Sequence, residues 1–250
     1  MKKLVVVAMM VCLASTAWGA SFTNGGFESG DWTGWTTGGG YWGSAFAAPP
    51  ASSYLPTGAN YTAGVFEAKS AIVSPGADPI TGVNQVFSGN YAARVNNYDP
   101  NYHVSVISQT VTGFTDPNIY FAWSAVLQAS HSVGDSDYFG LELKDLTAND
   151  ILYSVGYDSA STPGYFQQVG GWYFSDWQVQ NLDVSARQGH DFQLTLIGSD
   201  CPYGGHGGYV YLDGFGVVIP TQGPPGVPEP GTMMLLGSGL VGLAAWRRKQ

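Results

Sequence analysis

Charge is scarce in this sequence. Asp, Glu, Lys and Arg make up 11% of its 250 residues, against about 25% in an ordinary soluble domain. Cations are scarcest: Lys2 and Lys3 open the chain, Arg247, Arg248 and Lys249 close it, and only Lys69, Arg94, Lys144 and Arg187 lie between. Residues 21–226 set those four against seventeen acidic groups, a net of −13. Four cations build no basic surface, which excludes nucleic-acid binding. Cysteine is nearly absent: Cys12 and Cys201 are the two, and a single cysteine outside the N-terminal segment makes no internal disulfide. The sequence contains no GxSxG, HExxH or P-loop, and no glycine run set between a strand and a helix as a dinucleotide fingerprint requires. A helical bundle is excluded for want of Ala, Glu, Lys, Leu and Arg. Present instead are 35 Gly, 14 Pro and 14% aromatics, and the 44% hydrophobic content is too high for a disordered chain. The composition is that of an all-β protein with many turns.

The ends carry transport signals. Residues 1–19 read as a signal peptide, with Lys2 and Lys3 before the apolar run Leu4 to Leu13 and small residues Ala17 and Gly19 at the cleavage positions. At the other end, residues 223–231 form a Pro/Gly linker that joins neither sheet nor helix. Residues 232–250 follow as an anchor, an apolar stretch from Thr232 to Trp246 and then Arg247, Arg248 and Lys249. The basic end stays cytoplasmic, so the body lies outside. Fifteen residues make a short transmembrane helix against the ~20 of a full span, which fits a transient anchor.

Val227, Pro228, Glu229, Pro230, Gly231 and Thr232, then the apolar stretch, then the basic tail, resemble the PEP-CTERM sorting signal of Gram-negative bacteria. The resemblance implies recognition and removal of the tail by an exosortase, a membrane peptidase. The protein is then held briefly at the inner membrane and passed to the cell surface or extracellular matrix, in organisms that often make exopolysaccharide.

Residues 20–222 read as one β domain. Period-2 patterns run through Phe139 to Lys144, Ile151 to Tyr157 (Ile151, Tyr153, Val155 and Tyr157 on one face), Phe192 to Leu196 and Tyr209 to Val217. Val104 to Val111, Ile119 to Gln128 and Trp177 to Val184 are rich in β-branched and aromatic residues. Turn clusters separate these segments, the spacing of a sandwich or barrel. Residues 36–62 read as a long aromatic loop or an insertion.

Asn24 to Glu28 with Asp31 to Trp35, then Ser88 to Asn97, Ser108 to Val111 and Tyr209 to Val217, are similar in kind and order to the segments of galactose-binding-like jelly rolls, which include many carbohydrate-binding modules. Phe121 to Gln128 with His131, and Asp200 to Asp213, are similar to a variant in large bacterial surface and adhesion proteins. The resemblance implies a jelly-roll β-sandwich and a structural Ca2+ joining first strand to last, with Glu28 and Asp213 as its carboxylates. The plainer alternative is that Glu28 is a turn carboxylate and Asp213 caps backbone amides.

His131 and His206 lie in Gly- and Ser-rich loops, with Cys201 five residues before His206. Cys and His suit zinc, but the spacing is no recognised zinc pattern and no fourth ligand is evident. The favoured reading is that the histidines fix loop geometry and Cys201 is a small buried residue. Asp135 and Asp137 share a turn too short for a calcium loop. Tyr41 and Trp42, beside three glycines, are the aromatics expected to be exposed and able to stack on sugar rings, whereas Trp32, Trp123 and Trp177 are expected in the core. A glycosidase needs two carboxylates ~5–10 Å apart, and the sequence places no such pair. The chain reads as a non-catalytic surface or matrix protein associating with exopolysaccharide; the alternatives are a self-associating adhesion protein and, less favoured, a polysaccharide hydrolase. Surface material analysed by mass spectrometry is expected to end near Pro230, and retention of Trp246 would contradict the processing.

Overall fold

The computed structural model describes residues 21–42 and 49–216. The expected signal peptide, linker and anchor, and the sorting motif, lie outside these residues. Among the described residues, no helix is long and apolar enough to cross a membrane. The fold is a jelly-roll β-sandwich of two antiparallel sheets.

Strands β1 (Thr36–Tyr41), β2 (Ala71–Val73), β3 (Ala92–Val95), β4 (His103–Phe114), β5 (Asn118–Gln128) and β6 (Tyr138–Asp145) precede β7 (Asp150–Asp158), β8 (Gln167–Val169), β9 (Trp172–Phe174), β10 (Gln178–Asp183), β11 (His190–Ser199) and β12 (Gly208–Gly216). A five-residue helix, α1 (Val65–Lys69), lies between β1 and β2. One sheet has the order β1-β4-β11-β6-β7; the other runs β2-β3-β12-β5-β9-β8, with β10 also on β5. The inward residues of both sheets form one core around Ile107, Phe121, Trp123, Phe139, Leu194 and Leu212. Burying each such side chain stabilises the fold by about 1.5–3 kcal/mol, which matters because among the described residues there is no disulfide.

Both sheets are also covered on parts of their outer faces. Trp42, Tyr54, Val104, Val106 and Ile197 cluster on the outside of the five-stranded sheet, and Val126, Phe174, Tyr209 and Tyr211 on the outside of the other. This explains why β4 and β5 are buried almost without alternation. Asp78 fastens the cover over the second sheet: its Oδ1 accepts from the amides of Ile80 and Thr81, and its Oδ2 from the Tyr209 and Tyr211 hydroxyls, each at 2.7 Å.

Two expectations from the sequence are corrected. Residues 36–41, read as loop, are strand β1, paired antiparallel with β4. Glycine disfavours strands in general, but here side chains are excluded by close approach. A Cβ on Gly38 or Gly40 would collide with the backbone of Tyr54 or Asn60, and one on Gly39 would stand 2.9 Å from the backbone of Phe66 and of Val104. The three glycines let a strap of residues 49–62 lie on one side of β1 and α1 on the other. In β7, Ile151 does not share a face with Tyr153: Leu143 pairs with Tyr153 but Lys144 with Ile151, so Leu152 is a bulge residue. The period slips, Leu152 joins the core and Ile151 is 53% exposed. Trp123 is in the core as expected, while Trp32 and Trp177 are half-buried against it and against the outer cluster.

The strap contact predicts that G38A lowers stability by about 1–3 kcal/mol, the cost of overpacking a close contact. Thermal denaturation measures it; an unchanged midpoint would mean the strap does not lie this close.

Candidate functional site

The neck between first and last strands brings Glu28 and Asp213 to one loop. Glu28 Oε1 accepts from the amides of Asn90 (2.9 Å) and Tyr91 (3.1 Å), and its Oε2 from the Asn90 side chain (3.0 Å). Asp213 Oδ2 accepts from Phe87 and Ser88 at 3.0 and 2.8 Å, and Oδ1 from Gly214 at 2.6 Å. Gly89 has a positive φ of 79° and passes so close to Glu28 that a Cβ would strike the carboxylate. A hard cation takes ~6–8 oxygens. Each of these four oxygens accepts from N–H donors, so in this structure the pair captures amides at the first-to-last junction. Burial and the nearby Glu28 charge push the Asp213 carboxyl up to about 7 against the pull of its three amides.

Tyr41 and Trp42 part company. Tyr41 is 51% exposed, as expected. Trp42 is not an exposed platform: it is 8% exposed, under the strap, and its indole N–H donates to the Asp200 carbonyl at 2.7 Å. The flanking glycines serve the strap and do not bare the indole. Asp200 is fully buried at the end of β11. Its carboxylate accepts from the Asn96 side chain and from the amides of Asn101 and His103, and pairs with His103 Nδ1 at 3.1 Å. The same end exposes Tyr61, Tyr98, Tyr102 and Tyr203 besides Tyr41.

His131 and His206, far apart in sequence, come together with ring centroids 5.3 Å apart. Asp135 lies between them, its Oδ2 2.8 Å from His131 Nδ1 and its carbonyl oxygen 2.9 Å from His206 Nδ1. Cys201 is buried as expected, its Sγ accepting from the amides of Gly205 and His206.

A groove on the outer face of the five-stranded sheet has no counterpart among the residues expected from the sequence. The register sets rows across β11, β6 and β7: Thr195, Glu142 and Ser154 in one, Ile197, Gly140 and Gly156 in the next, and Ser199, Tyr138 and Asp158 beyond. Tyr138 leans over the glycine row, where a Cβ on Gly140 would lie 2.7 Å from its hydroxyl and one on Gly156 would collide with it. Burial, with the Asp158 and Glu142 charges, raises the Tyr138 pKa, so the hydroxyl keeps its proton. The strap supplies the facing wall with Pro49, Pro50 and Ser52. The space enclosed is about 340 Å3, and Glu142 is the one carboxylate among the residues lining it. The glycines at alternate positions of β6 and β7 were the available signal, a mark of close approach inside a strand.

The pH dependence follows from three carboxyls. Asp213 binds its proton more tightly in the folded state (about 7 against 3.8), so its contribution is full below pH 3.8 and is lost as pH rises to about 7. Burial likewise raises Asp137. Asp145 has the opposite sign: burial opposes it, but the Ala148 amide, Arg187 and His190 hold it at about 2, so its contribution is lost as pH falls from 3.8 toward 2. Denaturation midpoints are expected to peak near pH 4 and decline toward neutrality. D213N is expected to make that decline shallower; an unchanged slope would contradict the assignment.

No curated protein matches the chain in sequence. Among solved structures it is similar to TmCBM61, solved with beta-1,4-galactotriose, at 14% identity over 77% of this chain and 93% of that one, with a TM-score of 0.39. It is similar to CBM28, a non-crystalline cellulose specific carbohydrate-binding module, at 13% identity over 76% and 89%, with a TM-score of 0.36. It is also similar to the enzymatically active domain of bacteriophage CBA120 tailspike protein 4, at 11% identity over 78% of this chain and 20% of that one, with a TM-score of 0.35. Residues 226–249 match the PEP-CTERM protein-sorting motif.

Proposed function

We propose that this protein is exported, processed at its C-terminal motif by an exosortase, and serves at the cell surface as a non-catalytic glycan-binding protein, with the groove between strap and β6-β7-β11 as its binding surface. One observation carries the reading: an aromatic ring supported from beneath by two glycines, beside a row of hydrogen-bonding side chains. A pyranose presents an apolar C–H face and equatorial hydroxyls; Tyr138 offers an apolar surface with a polar edge, and Glu142, Ser154, Gln193 and Thr195 offer partners for the hydroxyls. The groove's single carboxylate favours binding over hydrolysis, which needs two. The sorting motif supports the address, and exopolysaccharide of the producing cell is the glycan that address favours.

The second reading, a self-associating matrix or adhesion protein, is favoured by the five tyrosines exposed at the Asp200 end. Concentration-dependent assembly in sedimentation without glycan would support it.

Binding isotherms with polysaccharide isolated from the producing cells test the first reading. Y138A is expected to cost about 2 kcal/mol, the loss of an aromatic anchor, while Y138F, which keeps the ring, retains most of the affinity. Y138A binding as tightly as wild type would overturn the reading.

A further inference from the structure

We propose that His131, Asp135 and His206 form a zinc-binding site at the end of the sandwich, separate from the groove. Each offers a ligand atom, and these atoms lie within 4.8 Å of one another. Two segments that meet only in the folded protein supply them: the turn 131–135 between β5 and β6, and the loop 200–207 between β11 and β12.

Both segments are held from within. Ser132 closes the first turn, its amide donating to Asp135 Oδ1 at 2.7 Å while Asp135 Oδ2 takes His131 Nδ1. In the second, the Cys201 amide donates to the His206 carbonyl at 2.8 Å, and Cys201 Sγ accepts from the Gly205 and His206 amides. Cys201 thus shapes the loop that presents His206, with its sulfur already occupied by two donors.

The hydrogen bonding of His206 points to a ligand. Its Nδ1 is 2.9 Å from the Asp135 backbone carbonyl, an oxygen that can only accept, so Nδ1 carries the hydrogen and Nε2 keeps its lone pair. An imidazole whose other nitrogen donates to a carbonyl is the usual arrangement of a metal-bound histidine, fixing both tautomer and ring orientation. His131 has an 87% exposed side chain and is free to adjust. Zinc bonds of about 2.0–2.2 Å place tetrahedral ligands a little over ~3 Å apart, a modest contraction from the observed spacing.

Two imidazoles and one carboxylate suit a borderline cation such as zinc; calcium and magnesium prefer oxygen throughout. Three protein ligands leave a fourth position for water or an incoming group, and the surrounding depression of about 490 Å3 has room for either. Tyr203, 61% exposed, stands on its rim. Zinc here would reinforce the junction between the turn after β5 and the loop before β12, which the His206–Asp135 hydrogen bond and the His131–His206 ring contact already make.

The test is calorimetric titration of the untagged full chain with zinc chloride. One saturable site is expected, weakened about tenfold or more in H131Q, D135N and H206Q and unchanged in H190Q, whose histidine lies in the Asp145 cluster. Wild-type protein titrated with cobalt(II) gives a check independent of the variants: visible d–d absorption is expected, abolished by one equivalent of zinc. Failure of wild type to show a saturable zinc site, or affinities within twofold across all three ligand variants, or cobalt without zinc-displaceable absorption, would overturn the proposal.

Discussion

Buried aspartates hold this sandwich where a disulfide would hold another. Asp200 is the plainest case. It ends β11 in one sheet, and its carboxylate takes the side chain of Asn96, just past β3 in the other. The same carboxylate gathers the amides of Asn101 and His103 at the start of β4, and its carbonyl receives the Trp42 indole. Asp213 and Glu28 join the first and last segments through the loop at 87–91, and Asp78 ties an outer loop to two tyrosines of β12. Each of the four collects three to five donors; where the carboxylate is ionised these are charge-assisted hydrogen bonds, the stronger kind. Removing a partner from such a group leaves it buried and unsatisfied at about 1–3 kcal/mol or more. A chain with so few cations has little else to pair with its buried acids; among the described residues the sheet-to-loop joints are made mainly of backbone N–H groups.

Those joints position the surface that matters. Asp200 holds Trp42 beneath the strap, and the Gly38–Gly40 run lets the strap lie flat on β1. The strap then walls one side of the groove whose floor is the glycine row of β6 and β7 and whose plate is Tyr138. The proposed binding surface is therefore a product of the five-stranded sheet, not of a loop tip. The loops at the Asp200 end hold two other features, the exposed tyrosines and the histidine cluster.

Much of the fold was legible because alternation survives in β6 and β11, where one face is core and the other more open. Residues 36–41 were not legible because three glycines report a tertiary constraint, the passage of other backbone, and no local preference. Nor was the fate of Trp42, since the same glycines look like flexibility when the strap is out of view. Ile151 was misplaced because a bulge shifts the pattern by one residue without a composition signal. At the site, the meeting of Glu28 and Asp213 on one region followed from the resemblance to jelly rolls, while all but one of the amides they accept from, the Asn90 side chain, are backbone groups and carry no sequence mark. Tyr138 was missed because its role depends on Gly140 and Gly156, one of them on the neighbouring strand. Asp135 was seen only as a turn residue; its place between His131 and His206 depends on a loop some seventy residues away.

The most direct measurement of the central claim is a map of amide chemical shifts as soluble oligosaccharide, cut from the producing cell's own polysaccharide, is titrated into the protein. Saturable changes concentrated at Gly140, Glu142, Ser154, Gly156 and Thr195 are the outcome this account requires. Changes confined to the Tyr41 and Tyr203 end, with those five amides unmoved, would contradict it.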